Sequence, residues 1–379
     1  MQLNERLRAA RDRSGLTLHQ VSERTDIGES SICEFEKSNR EPSLAQLQAL
    51  AACYRLSVSY FFDAAPISEP VVLWRSQPSS PASNDIRARF LEMCNQYHNL
   101  EMWCEDHVPH KIPKCGGSPD QFRNPGVEFL VSKVQKELDL GNRPGSTLLR
   151  VLEEVCGVKI FHEKFDEKFA ACTVDTIFGA AILLNRDTPR VQRNFDLAHE
   201  LFHLITWSLF RHEQCDAGKE VVLAKDDEEK FANAFARGLL MPRDAVIQAI
   251  NPYLTKEGGK LTFDDLFDVA RQFDVDVETF ILRFSDIYPI GSTDEIIKRY
   301  RDTAKDRHLA STQMEEMDSI PGKPARFRAL AFRALRESEI SAGKFSEYVG
   351  MPRREVMKLV EMELKQESEA NEEVALTPA

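Results

Sequence analysis

The stretch Asp196-Leu197-Ala198-His199-Glu200-Leu201-Phe202-His203-Leu204-Ile205 decides how the middle of this chain is read. It holds the pattern H-E-x-x-H in an apolar frame of helical spacing. On an α-helix a four-residue step turns through about 400°, so His199 and His203 leave one face together, while Glu200 stands about 100° round. Leu197, Ala198, Leu201, Leu204 and Ile205 supply the surface that would bury such a helix. Two imidazoles on one face and a carboxylate beside them are what hydrolytic zinc chemistry asks of one helix: two ligands and a general base.

A catalytic zinc takes three protein ligands and keeps one position open. Thr206 and Leu209 occupy the slots in which an extended motif carries its glycine and third histidine, so the third ligand must come from a later helix. Residues 226–242 are the candidate. Small Ala232 and Ala236 allow a close helix approach, and Phe231, Phe235 and Leu239 continue an apolar stripe. Glu229 precedes Ala232 by three residues and shares its inward face, whereas Glu228, rotated by about 100°, is the second choice. The expected division of labour has His199, His203 and Glu229 holding one zinc ion. Glu200 takes a proton from the attacking water and passes it to the leaving amine. Asp196, a turn ahead of His199, is a candidate to orient an imidazole. Upstream, residues 158–161 and 179–185 read as strands, and an antiparallel edge strand beside the active helix would hold an extended peptide by main-chain hydrogen bonds.

The run from Arg193 to His203, followed by Glu229-Lys230-Phe231-Ala232-Asn233-Ala234-Phe235-Ala236 and Leu239-Leu240-Met241-Pro242, resembles the ImmA/IrrE family of metallopeptidases in order and spacing. The resemblance spans about residues 125 to 290. It implies a zincin-type domain that cleaves a regulatory protein, often a helix-turn-helix repressor. Two positions depart from the family pattern. Phe202 stands where many members carry glycine, and Asp196 where a hydroxyl residue is common; a phenylalanine beside the second histidine is expected to narrow the cleft.

Residues 3–63 read as a small all-helical unit. Thr17 caps a helix bearing Leu18 and Val21, Gly28 breaks the chain, and a helix over 29–37 turns Ile32 and Phe35 inward. Ser30, Ser31, Glu34 and Lys37 are left outward, with Arg40 just beyond, in the layout of a DNA-recognition helix. Residues 38–47 and 50–59 are expected to add two more helices. The segment is similar to the Cro/repressor-type (XRE) helix-turn-helix family over nearly its whole length. Its charge is less telling, since residues 1–63 hold eight Lys/Arg against nine Asp/Glu. Arg6, Arg8, Arg11 and Arg13 nevertheless cluster in the first helix and could form a local basic face. A helical protein-interaction module without phosphate contacts is the competing reading.

At 379 residues the chain is too long for one ordinary domain. The expectation is a multidomain protein: an all-α helix-turn-helix domain at 1–65, a linker with one helix at 66–124, and an α+β zincin-like domain with a small sheet at 125–290. An α-helical extension at 291–362 and a disordered tail at 363–379 complete it. The linker assignment rests on the proline- and serine-rich stretches 64–70 and 77–83, and residues 109–125 suggest a hinge or lid. In the extension, Phe327, Leu330, Ala331, Ala334 and Leu335 keep helical spacing, and residues 341–355 read as helix, glycine turn, helix. That suits a second small helix-turn-helix as well as a helical cap or a dimer-forming tail.

Eight cysteines without a C-x-x-C pair, and a polar amino terminus, lead us to expect a cytoplasmic protein. No apolar run reaches eighteen residues, which excludes a membrane-spanning helix. The net charge of −12 favours solubility. Cys94, His98, Cys104, His107, His110 and Cys115 fall close together, but their spacing fits no zinc finger, so packing roles are expected. His212 is a candidate transition-state donor. The expected partners are DNA and a protein substrate such as a repressor, with a homodimer possible. The competing function is a transcriptional regulator whose peptidase-like domain senses a ligand or partner without proteolysis, in a toxin–antitoxin or phage-related cassette.

Overall fold

The computed structural model describes residues 2–14, 16–54, 56, 58–62, 71–74, 82–123, 125–164, 170–211, 225–255, 261–307 and 322–358. The stretch 64–70, most of 77–83, His212, the Arg13 side chain and the tail at 363–379 lie outside the described residues. Helices α1 (Leu3–Arg13), α2 (Leu18–Thr25), α3 (Glu29–Glu36) and α4 (Leu44–Cys53) come first, before strand β1 (Val72–Trp74) and helix α5 (Ala82–Trp103). Next are α6 (Gly126–Leu138), α7 (Leu148–Glu154), β2 (Lys159–Glu163), β3 (Ala171–Asp175), β4 (Gly179–Asn185) and α8 (Arg190–Ile205). Then follow α9 (Trp207–Arg211), α10 (Lys225–Leu240), α11 (Arg243–Leu254), α12 (Phe263–Gln272), α13 (Val277–Ile287) and α14 (Thr293–Arg307). Helices α15 (Ala325–Arg336) and α16 (Ala342–Val349) end the labelled elements, and residues 353–358 are helical again.

The elements gather into two compact units. The first unites Met1–Ser68 with Leu91–His107 and Lys323–Ala379. Its amino-terminal helices begin where their sequence signals say. Thr17 accepts a hydrogen bond from the Gln20 amide, and Ser43 does the same for Gln46, each closed into a capping box by the glutamine side chain. Asp26 adopts φ 55° and ends α2 in the left-handed conformation that lets the chain turn into α3. Leu7, Val21, Ile32, Phe35, Leu47 and Leu50 are buried together.

Two expectations for this segment are corrected. In place of two helices after residue 38 there is one, α4, followed by a 3₁₀ turn over Val58–Phe62, because Ser43 is the capping residue and Pro42 cannot sit inside a helix. Two of the four arginines of α1, Arg6 and Arg11, are also committed elsewhere, while Arg8 stays exposed beside Asp12. Arg6 is buried and donates to the Tyr60 carbonyl, while Arg11 forks onto Glu36 at 2.6 and 2.9 Å. Burial favours such pairing, since an unpaired guanidinium there would lose its hydration without compensation.

In the same unit the second half of α5 is covered by α15 and α16. Tyr97 meets Phe327 edge-on at 5.4 Å, Trp103 stacks on Tyr348, and Arg326 bridges Glu101 and Asp106 at 2.6 and 2.8 Å. The apolar stripe Phe327, Leu330, Ala331 and Ala334 is buried as its spacing implies.

The second unit, Glu69–Phe90 with Val108–Gly322, carries a four-stranded mixed sheet in the order β1-β3-β4-β2. Strand β4 pairs parallel with β2 and antiparallel with β3, and β1 lies antiparallel on the far side of β3. All seven residues of β4 are buried, as befits an interior strand covered on both faces, and this is why Gly-Ala-Ala-Ile-Leu-Leu-Asn shows no alternation. Asp175 accepts the Ile177 and Phe178 amides to make the β3–β4 turn. Gly179 follows at φ +79°, where a Cβ would fall 1.9 Å from the His110 ring, so only glycine fits.

Helix α8 packs on β4 and β3, the interior strands, so the expected edge strand beside it is corrected: the edges are β1 and β2. The described part of the stretch 109–125 is bonded to its neighbours. The Lys111 amide bonds to Cys156, the Cys115 amide to Ile205 at the end of α8, and Phe122 is buried against Phe202, Phe210 and Phe231.

Candidate functional site

Within the second unit, α8 and α10 lie against each other, with Ala232 and Ala236 of α10 fully buried and no side chain large enough to hold the backbones apart. Helix α8 follows Pro189 and is buried from Phe195 to its last residue. Its stability comes from that burial more than from intrinsic propensity. His199 and His203 sit one turn apart on it, with ring centroids 5.0 Å from each other and 0% and 4% exposure.

Their Nε2 atoms are 3.2 Å apart, and Glu229 of α10 brings its carboxylate to the same point. Its Oε2 lies 3.2 Å from His199 Nε2 and its Oε1 3.6 Å from His203 Nε2. Ligand bonds of about 2.0–2.1 Å in a tetrahedral site set donors about 3.3 Å from one another. The two Nε2 atoms have the spacing of neighbouring zinc ligands, one atom from each of the three residues lies within 4.8 Å of the others, and the two-imidazole, one-carboxylate set suits that ion. Among the described residues this is the one group that could hold a metal, and the residues between Cys94 and Cys115 do not form another. Cys94, His98 and Cys104 are buried, and Cys104 donates to the Leu330 carbonyl.

The far side of each imidazole is also fixed. His203 Nδ1 lies 2.8 Å from Glu228 Oε1, and His199 Nδ1 lies 3.1 Å from Asn233 Oδ1. Both partners accept, so each Nδ1 carries the proton and each Nε2 directs its lone pair towards Glu229. Glu228, weighed as an alternative ligand, thus stands behind His203 and orients it. Asn233 was not singled out from sequence, although it lies four residues after Glu229 and so shares its helix face. Asp196 accepts from the Gln192 amide at 2.8 Å. Burial works against a charged His203, but the Glu228 hydrogen bond and the nearby charges of Glu200, Glu228 and Glu229 outweigh it and raise its pKa. Glu200 is buried on α8 close enough to contribute to that field.

Phe202 does not narrow the cleft. It is fully buried, packs at 5.4 Å from Phe122 and 5.6 Å from Phe235, and presents its ring edge to His203. Rotated about 100° from His203 and about 60° from His199 on α8, it is fully buried and packs into the core and not on the donor cluster.

In the first unit, Ser30, Glu34, Lys37 and Arg40 are exposed and Ser31 is partly so, while Ile32 and Phe35 face inward. Arg40 lies over the Phe35 ring at 5.9 Å.

Comparison with known proteins follows these two sites. Residues 2–59 match the helix-turn-helix domain family and residues 153–285 the IrrE N-terminal-like domain of a peptidase family. The chain thus carries a helix-turn-helix domain ahead of an IrrE-like domain. The HTH-type transcriptional regulator ImmR of Bacillus subtilis (strain 168) is 29% identical over 69 residues, which are 18% of this chain. The chain spans about half, 54%, of that relative's length. Among solved structures, PlcR of Bacillus thuringiensis, crystallised with the peptide PapR7 and DNA, aligns over 98% of this chain and 99% of its own at 15% identity. Its TM-score is 0.17, too low to bear on the fold. Among the described residues no helix is long and apolar enough to cross a membrane.

Proposed function

We propose that this protein is a DNA-binding transcriptional regulator with a zinc-dependent endopeptidase domain that cuts a regulatory protein, such as a repressor. The observation that carries the enzymatic half is the convergence of His199, His203 and Glu229: the two Nε2 atoms lie 3.2 Å apart, and the Glu229 carboxylate reaches one through Oε2 at 3.2 Å and the other through Oε1 at 3.6 Å. Those three residues would hold one zinc ion, whose charge lowers the pKa of water towards about 7. Glu228 and Asn233, as acceptors, place the proton of each histidine on Nδ1, so that Nε2 is the nitrogen that would take the metal. Glu200 takes a proton from the attacking water and delivers it to the leaving amine. The regulatory half rests on the helix-turn-helix match, on the exposed face Ser30, Ser31, Glu34, Lys37 and Arg40, and on the likeness of residues in this chain to ImmR, named as a transcriptional regulator. A cytoplasmic site of action beside DNA and a homodimer on a two-fold operator fit this reading.

Two measurements test it. Elemental analysis of the purified chain should find about one zinc per molecule, lost in His203→Ala and kept in Glu200→Gln. A proteome comparison of cells carrying the wild type or Glu200→Gln should show a repressor fragment made by the former alone. Absence of zinc removes the enzymatic half. Zinc without any fragment leaves a sensor domain in its place.

A further inference from the structure

The last described segment repeats the first in register, without a gap. Taking the cap of each second helix as origin, Thr17 corresponds to Ser341, and each accepts a 3.2 Å bond from the amide three residues on, Gln20 and Lys344. One residue before, Leu16 and Ile340 are buried. Seven before, Ala10 and Ala334 are fully buried, and ten before, Leu7 and Ala331 are buried. Four after, Val21 and Phe345 fill the core. Nine after, Asp26 at φ 55° and Gly350 at φ 72° both take the left-handed turn. The next helix starts twelve after the cap in both, at Glu29 and at residue 353, and fifteen after it Ile32 and Val356 are buried. Even the first-turn bonds recur: the Ile32 amide reaches Gly28, and the Val356 amide reaches Pro352, each at 3.2 Å. A helix pair crossing at a left-handed turn, with core contacts at these offsets, is the helix-turn-helix layout.

The two copies differ on the outward face. At the positions where the first carries Glu29, Ser30 and Glu34, the second carries Arg353, Arg354 and Lys358, all exposed. None of these three forms an ion pair among the described residues. Residues 323–358 hold nine Lys/Arg against four Asp/Glu in a chain whose net charge is −12. Three exposed cations without an ion pair, Arg353, Arg354 and Lys358, set against one exposed carboxylate, Glu355, make the outward helix of this motif complementary to a phosphate backbone.

We propose that residues 325–358 form a second helix-turn-helix that binds duplex DNA through Arg353, Arg354 and Lys358. The inference stands on this segment's own geometry and charge and not on DNA binding by the amino-terminal copy. Because the basic side chains are exposed, their removal should leave folding intact, and the buried Val356 keeps the helix seated.

The test is a salt series of anisotropy titrations of the full chain against a labelled mixed-sequence duplex about three helical turns long. The arms are wild type, the triple variant Arg353→Ala/Arg354→Ala/Lys358→Ala, the charge-keeping Arg353→Lys/Arg354→Lys, and the amino-terminal Lys37→Ala/Arg40→Ala. The triple variant should lose about tenfold or more in affinity at low salt and reduce the slope of log K against log salt by about 2 to 3, near 0.9 per lost phosphate contact. The lysine variant should keep the slope. Wild-type affinity and slope in the triple variant, or preference for RNA or an acidic protein over duplex in competition, overturns the proposal. Loss confined to Lys37→Ala/Arg40→Ala overturns it while upholding the amino-terminal copy; loss confined to the triple variant does the reverse.

Discussion

Acidification should weaken the second unit through His162, a residue of β2 that is 6% exposed. Burial, then the charges of Arg193 and Arg186, push its pKa down from 6.5 to about 4. The unfolded chain has neither effect and titrates near 6.5. Between those values the unfolded state binds a proton that the folded state refuses, so the slope of unfolding free energy with pH is positive and stability falls as pH drops. The loss from this one group is about 0.2 kcal/mol at pH 7, about 2 kcal/mol at pH 5 and about 3 kcal/mol at pH 4. Set against a typical total of about 5–15 kcal/mol, that is a large share. His162→Leu removes the titration while keeping an apolar side chain in the strand. Urea unfolding followed by tryptophan fluorescence, at steps from pH 7 to pH 4, isolates the effect as the difference between wild type and variant, because the carboxylates and the donor cluster are common to both. The variant should gain about 3 kcal/mol relative to wild type over that range. Parallel stability curves across the range would falsify the assignment of a neutral buried imidazole at this position.

The residues behind the histidines give a second expectation: Glu228→Gln and Asn233→Ala should each weaken zinc affinity about 10- to 100-fold in competition with a chelating dye, and affinity equal to wild type would deny them an orienting role. Phe202→Ala should cost about 3–5 kcal/mol by emptying the space between Phe122 and Phe235, measured by denaturant unfolding; a cost under about 1 kcal/mol would place the ring outside the core after all. Lowering the pH should also release zinc from the site, since the raised pKa of His203 lets a proton compete for its nitrogen at a higher pH than an ordinary histidine would allow, and metal retained to a lower pH than an ordinary imidazole site would contradict that raised pKa.

Much of this was legible in local signals. The H-E-x-x-H spacing placed two imidazoles on one face because helical rotation is the same in every sequence, and Thr17 and Gly350 marked helix boundaries through hydrogen bonding and backbone freedom, whereas Ser43, the cap of α4, was passed over inside an expected helix. Glu229 could be preferred over Glu228 from its step to Ala232, for the same reason. Strand β3 and strand β1 were missed: Ala-Cys-Thr-Val-Asp and Val-Leu-Trp are too short for a period to show, and pairing with β4 and with each other holds them.

What sequence by itself determined about this protein is the set of local rotations and caps, because these depend on residues a few positions apart. Only the tertiary structure decided which groups face one another across helices: that Glu228 stands behind His203 instead of beside Glu229, that Asn233 meets His199, that Arg6 and Arg11 are spent inside the first unit, and that Phe202 turns to Phe122 and Phe235. It also brought residues 91–107 and 323–358 together with the amino-terminal helices. Those arrangements are set by the packing of whole apolar faces, which sum over residues far apart in the chain and leave no trace in any short stretch of it.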